Sequence, residues 1–119
     1  MGNQILLVDD NLDLLESIED SLKIRGYSTI TATNGFEAVQ KFDENEPCMV
    51  FMDIKMPKMD GYEAFSKIIE KNKNAKVIFI SGYIEYPKID ACKNKGLLGM
   101  LKKPAETQKI VELIKENGC

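Results

Sequence analysis

Short apolar runs alternate with segments whose apolar residues recur every three or four positions, and the pair repeats five times along 119 residues. Ile5-Leu6-Leu7-Val8 and Met49 to Met52 contain no polar residue. Strands read this way when both faces of their sheet are covered, as in parallel sheets joined by helices. Leu12, Leu15, Ile18 and Leu22 place one stripe on a helix from Asn11 to Arg25. Asn11 is its expected N-cap, and Gly26 its stop. Tyr27 to Ala32 alternates like a more exposed strand. Asn34-Gly35 reads as a turn before a second helix marked by Phe36, Ala38, Val39 and Phe42. A loop from Pro57 to Gly61 leads into a third helix through Ala64, Phe65, Ile68 and Ile69. Val77 to Ile80 is the fourth strand, Pro87 to Lys95 a short fourth helix, Leu97 to Leu101 a weak fifth strand, and Ala105 to Asn117 the last helix.

Five β-α units predict an α/β fold: a five-stranded parallel sheet, doubly wound, with right-handed crossovers and helices on both faces. The common order for five strands is 2-1-3-4-5, which makes the first and third strands neighbours at the switch point where such sheets bind ligands. No Pro/Ser/Gly-rich linker and no repeat interrupts the chain, so residues 1–119 are expected to form one domain.

Acidic residues stand at that switch point. The first strand runs into Asp9-Asp10 and the third into Asp53. Neighbouring strands lie about 4.8 Å apart, so three carboxylates should crowd one crevice. Such crowding raises pKa values or calls for a cation, and hard oxygen donors in a small open site suit Mg²⁺. Helix capping by Asp10 or Asn11 is the plainer reading of either residue alone, but it does not cover all three acids. The fourth strand ends in Ser81-Gly82 and the fifth in Lys102-Lys103-Pro104. A serine before glycine is commonly a turn residue, and an exposed lysine commonly a solvated charge. At the same sheet edge as the acids, a hydroxyl and an ammonium make a place for a phosphoryl group. A carboxylate can take that group as a nucleophile, giving an acyl phosphate.

Composition removes other classes. There is no histidine, which excludes Ser-His-Asp and Cys-His catalysis and histidine metal sites. The net charge of -3, with Arg25 the only arginine, gives no electrostatic footprint for nucleic acid. No run approaches the roughly 18 apolar residues of a membrane span, and Met1 to Gln4 lacks a signal-peptide layout. Cytoplasmic residence is therefore expected. Cys48, Cys92 and Cys119 are widely spaced and odd in number, and free thiols in a reducing compartment are the expectation.

Four segments resemble the receiver domain of two-component response regulators. They are Leu7-Val8-Asp9-Asp10-Asn11, the run Met52-Asp53-Ile54-Lys55-Met56-Pro57-Lys58-Met59-Asp60-Gly61, Ile80-Ser81-Gly82, and Leu101-Lys102-Lys103-Pro104. The resemblance spans nearly the whole chain and implies a flavodoxin-like fold. It implies that Asp53 is the phosphoacceptor. It makes Asp10 a direct Mg²⁺ ligand, Asp9 one acting through water, and Lys55 a ligand through its backbone carbonyl. Ser81 becomes a hydroxyl that swings to the phosphoryl group, Lys103 the charge-offsetting lysine before a cis proline, and Gly82 a position that leaves the group room. Lys55 and Tyr83 become positions that tune loss of phosphate. The implied donor is a sensor histidine kinase or histidine phosphotransfer protein. The implied output is a partner protein met through the fourth helix, fifth strand and fifth helix, with no direct contact to nucleic acid or membrane. The chain departs from the family at Met100, where a tyrosine or phenylalanine is usual. Activation is then expected to reshape Gly82 to Tyr86 more than residue 100. The runner-up reading keeps the fold and drops phosphorylation, leaving a decoy receiver that only binds proteins. A haloacid-dehalogenase-type phosphatase needs an acid where Lys55 stands, and a flavin or dinucleotide site needs a phosphate cradle where Asp9-Asp10-Asn11 stand.

Overall fold

A computed structural model describes residues 4–119. Five strands alternate with five helices: β1 Gln4–Val8, α1 Leu12–Ile24, β2 Ser28–Ala32, α2 Gly35–Asn45, β3 Met49–Met52, α3 Gly61–Lys71, β4 Val77–Ser81, α4 Tyr86–Asn94, β5 Gly99–Lys102 and α5 Thr107–Glu116. All pairings are parallel, in the order β2-β1-β3-β4-β5.

Residues in a strand point alternately to the two faces, and the apolar runs use both. Leu6, Val8, Val50, Met52, Val77 and Phe79 pack with Ala38, Phe42, Phe65, Ile68 and Ile89, under α2, α3 and α4. Ile5, Leu7, Met49, Phe51, Ile78 and Ile80 pack with Leu15, Ile18, Leu22, Ile110, Val111 and Ile114, under α1 and α5. The central strands therefore need no polar face.

The starts of α1, α2 and α3 are set by side-chain capping. Asn11 accepts from the Leu14 N–H (3.2 Å), and Asp60 accepts from the Glu63 N–H (2.9 Å). The predicted turn at Asn34-Gly35 is instead the start of α2. Asn34 is buried and accepts from the Glu37 N–H at 3.0 Å, which makes it the N-cap. The same residue types serve turns and caps, so the pair alone does not decide between them.

The free-thiol expectation is wrong for two of the three cysteines. Cys48 and Cys119 are joined by a disulfide across 71 residues of sequence, and only Cys92 is free and buried. Cys48 immediately precedes β3, and Cys119 follows α5. The parallel sheet brings those two ends together, a proximity that spacing along the chain does not reveal.

The loop after β3 is held by close backbone approach. The Gly61 N–H donates to the Ile54 carbonyl at 2.7 Å, and the Gly35 N–H donates to the Met59 carbonyl at 3.0 Å. A Cβ on Gly61 would lie 2.4 Å from the Asp53 carbonyl oxygen and 2.8 Å from the Ile54 Cα. These are backbone atoms, which cannot step aside cheaply. At Gly82 a Cβ would meet only the Lys103 Cβ, at 3.9 Å. We predict that Gly61→Ala lowers the free energy of unfolding by roughly 2–3 kcal/mol, whereas Gly82→Ala changes it by less than about 0.5 kcal/mol. Urea denaturation of the two variants beside the parent chain measures both.

Candidate metal and phosphoryl-acceptor site

The sheet ladder sets the acids side by side. Val8 is paired with Met52, and the ladder continues one residue further, with the Asp53 N–H donating to the Val8 carbonyl at 2.9 Å. On the other flank of β1, the Asp9 N–H donates to the Ala32 carbonyl at 3.1 Å. The Lys103 N–H reaches the Ser81 carbonyl at 2.9 Å. Asp9, Asp53 and Lys103 are thus fixed at the carboxyl edge of the sheet through their own backbones, before any side-chain contact is made.

Their side chains converge. Asp9, Asp10 and Asp53 each offer a carboxylate oxygen, and these three atoms lie within 4.8 Å of one another. Asp9 and Asp53 are buried, while Asp10 is exposed and leaves the cluster open to solvent. The Lys103 ammonium bridges the two buried acids, at 2.9 Å from an oxygen of each. The remaining oxygens are partly satisfied by backbone: the Ile54 N–H donates to Asp53 Oδ1 (2.8 Å), and the Asn11 N–H donates to Asp9 Oδ1 (2.9 Å).

Burial pushes the Asp53 carboxyl above its ordinary value of 3.8. The Lys103 hydrogen bond opposes the shift, and the neighbouring Asp9 charge adds to it. Burial also pulls the Lys103 ammonium down, but its bonds to Asp53 and Asp9 outweigh that and hold its pKa above 10.5. Lysine is therefore charged at neutral pH. With the acids ionised, three carboxylates face one ammonium and the cluster keeps an excess of negative charge. An all-oxygen donor set with net negative charge and an open side fits a small hard divalent cation.

The other expected residues lie at the same edge, with less contact to the acids. Ser81 is 1% exposed. Its hydroxyl donates to the Tyr83 carbonyl (2.8 Å) and accepts from the Tyr83 N–H (3.1 Å), so it serves its own loop and not Asp53. Lys55 is exposed, two residues past Asp53, and its ammonium stands 4.2 Å from the centre of the Tyr83 ring. A cation–π contact of this kind joins the loop after β3 to the loop after β4. The peptide between Lys103 and Pro104 is cis. Gly61, at the end of the motif, and Gly35, outside it, are positioning residues whose part neither the motif nor the Asn34-Gly35 pair reveals. Only the packing of the loop from Asp53 to Asp60 shows it.

A doubly wound sheet with acids at its switch point and a lysine between them is the arrangement of a regulatory receiver domain. Residues 5–115 match the family described as the response regulator receiver domain, and the chain belongs to that family. It is 33% identical over 114 residues to the chemotaxis protein CheY of Listeria monocytogenes, covering 95% of this chain and 96% of that one. It is 30% identical over 116 residues to the sporulation initiation phosphotransferase F of Bacillus subtilis, covering 98% and 94%. A CheY-like receiver domain from Methanospirillum hungatei superposes with a TM-score of 0.91 at 28% identity, over 98% of this chain and 93% of that one. CheY in the CheX-CheY-BeF3-Mg complex of Borrelia burgdorferi gives 0.87 at 32% identity, over 95% and 87%. The chain is therefore a CheY-like receiver of two-component signalling, a regulatory class. Among the described residues, no helix is long and apolar enough to cross a membrane.

The raised Asp53 pKa has a sign. Protonated Asp53 is favoured in the folded state, so this group's contribution is fully present below pH 3.8 and is lost as pH rises through the folded value. At neutral pH the ionised side chain is a cost. In chelator-treated buffer, Asp53→Asn removes the titrating carboxyl and keeps one of its two acceptor oxygens, so the variant should gain stability relative to the parent as pH rises from 3.8 toward 7. The relative gain should shrink as pH is lowered again toward 3.8. Urea unfolding of both chains across that range checks the direction.

Proposed function

We propose that residues 1–119 act in the cytoplasm as one receiver domain that takes a phosphoryl group onto Asp53 from a phosphohistidine on a partner, in a Mg²⁺-dependent reaction. The observation that carries this is the Lys103 ammonium bridging Asp9 and Asp53 at 2.9 Å, with Asp10 completing an open cluster of acids. These 119 residues hold no histidine, so the donor histidine lies outside them, on a sensor histidine kinase or histidine phosphotransfer protein.

Asp9, Asp10, Asp53 and the Lys55 carbonyl would hold Mg²⁺, which offsets charge on the phosphoryl oxygens. The chain's own groups supply the rest. An Asp53 carboxylate oxygen attacks phosphorus, the bond to the donor nitrogen breaks, and the imidazole leaves with the electron pair. The attacking carboxylate becomes a mixed anhydride and loses its charge, while the new dianionic group keeps Lys103 electrostatically bound beside it. Ser81 releases its two bonds to Tyr83 and donates its hydroxyl to a phosphoryl oxygen. The loop from Gly82 to Tyr86 thereby loses its internal tether. Met100, half-buried on β5 against the core, is unbranched and adaptable, so the loop carries more of the change than residue 100. The face formed by α4, β5 and α5 then meets the downstream partner. Tyr86 and Leu98 are large apolar side chains exposed on this side.

Incubation with acetyl phosphate and Mg²⁺ should add one phosphoryl mass, which Asp53→Asn or chelation abolishes. Lys103→Met should slow uptake by on the order of 10²-fold, as expected for loss of a preorganised charge. Absence of an adduct at any Mg²⁺ concentration, in a folded protein, would assign the chain to the decoy class.

Lys55 and Tyr83 stack on each other beside the acids, which supports a shielding part for the pair. Alanine at both positions should admit water and speed loss of the acyl phosphate severalfold, read as the decay of the phosphorylated mass after donor removal. An unchanged decay rate would reject shielding.

A further inference from the structure

The Cys48–Cys119 bridge lies at the end of the sheet away from the acids. Cys48 precedes β3, and Asp53 follows that strand's other end. The backbone around each cysteine is held by bonds that do not involve sulfur. The Cys48 N–H donates to the Gln4 carbonyl at 2.8 Å, and the Cys119 N–H donates to the Ile114 carbonyl at 3.0 Å. Beside them, the Lys76 ammonium donates to the Asn117 carbonyl, and the Asn117 side chain donates to the Leu113 carbonyl. The two Cα atoms are 6.0 Å apart, inside the span that a disulfide bridges without backbone movement. Both cysteines are partly exposed, whereas Cys92 is buried under α4. Burial also pushes the Cys92 thiol up, with Lys95 opposing and Asp60 adding to the shift. Two accessible thiols are thus preset for each other, and the third is withdrawn.

We propose that Cys48 and Cys119 form a reversible redox site that exchanges with small-molecule disulfides and pins the end of α5 to the start of β3 when oxidised. One thiolate attacks the small disulfide, forming a mixed disulfide and expelling a first small thiol. The second protein thiolate attacks the mixed disulfide at the protein sulfur and expels a second small thiol. Two protein thiols are oxidised, and one small disulfide is reduced to two thiols. Reduction leaves the native contacts around both cysteines in place, so the fold persists in either state. What changes is the unfolded chain, which loses a closed loop of 71 residues. Loops of that size shift the folding equilibrium constant by roughly 10³-fold in the chain-entropy account.

The test uses the full chain equilibrated with mixtures of oxidised and reduced glutathione, then alkylated under denaturing conditions and weighed intact. Oxidising mixtures should leave Cys92 as the one alkylated residue, and reducing mixtures should label all three cysteines. Reduction should raise the unfolding equilibrium constant by roughly 10³-fold and speed amide exchange from Leu113 to Gly118. Cys92→Ser should keep this response, and Cys48→Ser and Cys119→Ser should each abolish it. Three alkylated cysteines at every ratio, glutathione adducts or disulfide-linked dimers in place of the internal bridge, or a stability indifferent to reductant would each overturn the proposal.

Discussion

Parallel pairing of β1 with β3 puts Val8 beside Met52 and carries the ladder on to Asp53 through its bond to the Val8 carbonyl. Everything at the carboxyl edge depends on that register. A slip of one residue would turn each side chain to the opposite face. Leu6 and Val8 would exchange faces with Ile5 and Leu7, and a slip that set Asp9 in the place of Val8 would bury a carboxylate under α2 and α3. The hydrophobic core thus fixes the position of the acids. Repulsion among carboxylates opposes this arrangement, and two fully apolar strands supply the burial that overrides it.

Lys103 comes from the far side of the sheet, yet it is the group that makes the cluster tolerable. A buried acid without a partner would be protonated or would loosen the fold. One ammonium shared between Asp9 and Asp53 leaves both oxygen sets only partly satisfied, with Asp10 outside in solvent. The site is therefore stable enough to persist and still negative enough to draw a cation. A second lysine in contact would neutralise the cluster further, and the neighbouring Lys102 is exposed, on β5.

Much of this was legible because it is written in local pattern. Apolar runs without a polar residue required a sheet covered on both faces, and acids directly after two such runs had to meet once those strands were neighbours. Helix ends at Asn11 and Gly26 followed from residue chemistry. Other features depend on contacts between segments far apart in sequence and leave no such trace. Asn34-Gly35 looks the same as a turn or as a cap. Gly61 is required by the Asp53 carbonyl oxygen, which no neighbouring residue type discloses. Cys48 and Cys119 are separated by most of the sheet in sequence and by one disulfide in space. The Ser81 hydroxyl was expected at the acids, but the loop that follows it offers both a donor and an acceptor from Tyr83 at hydrogen-bond distance. A buried hydroxyl takes such partners when nothing at the acidic cluster supplies better ones.

That last geometry bears on how a signal could leave the site. Ser81 is tied to Tyr83, Tyr83 is stacked under Lys55, and Lys55 belongs to the loop that begins at Asp53. These contacts link the loop after β4 to the loop after β3, so a hydroxyl drawn toward a phosphoryl group would have to release Tyr83 before it could move. The N-terminus of α4 offers little resistance to such a change. Glu85 makes no side-chain cap there, Pro87 removes a backbone donor in the first turn, and only Ile89 and Cys92 of the helix are buried. An aromatic at position 100 would add a bulky group that must be moved in step with Ser81. Methionine bends around its neighbours at small cost. In the proposed mechanism the loop and the start of α4 would carry the larger change, with β5 following them.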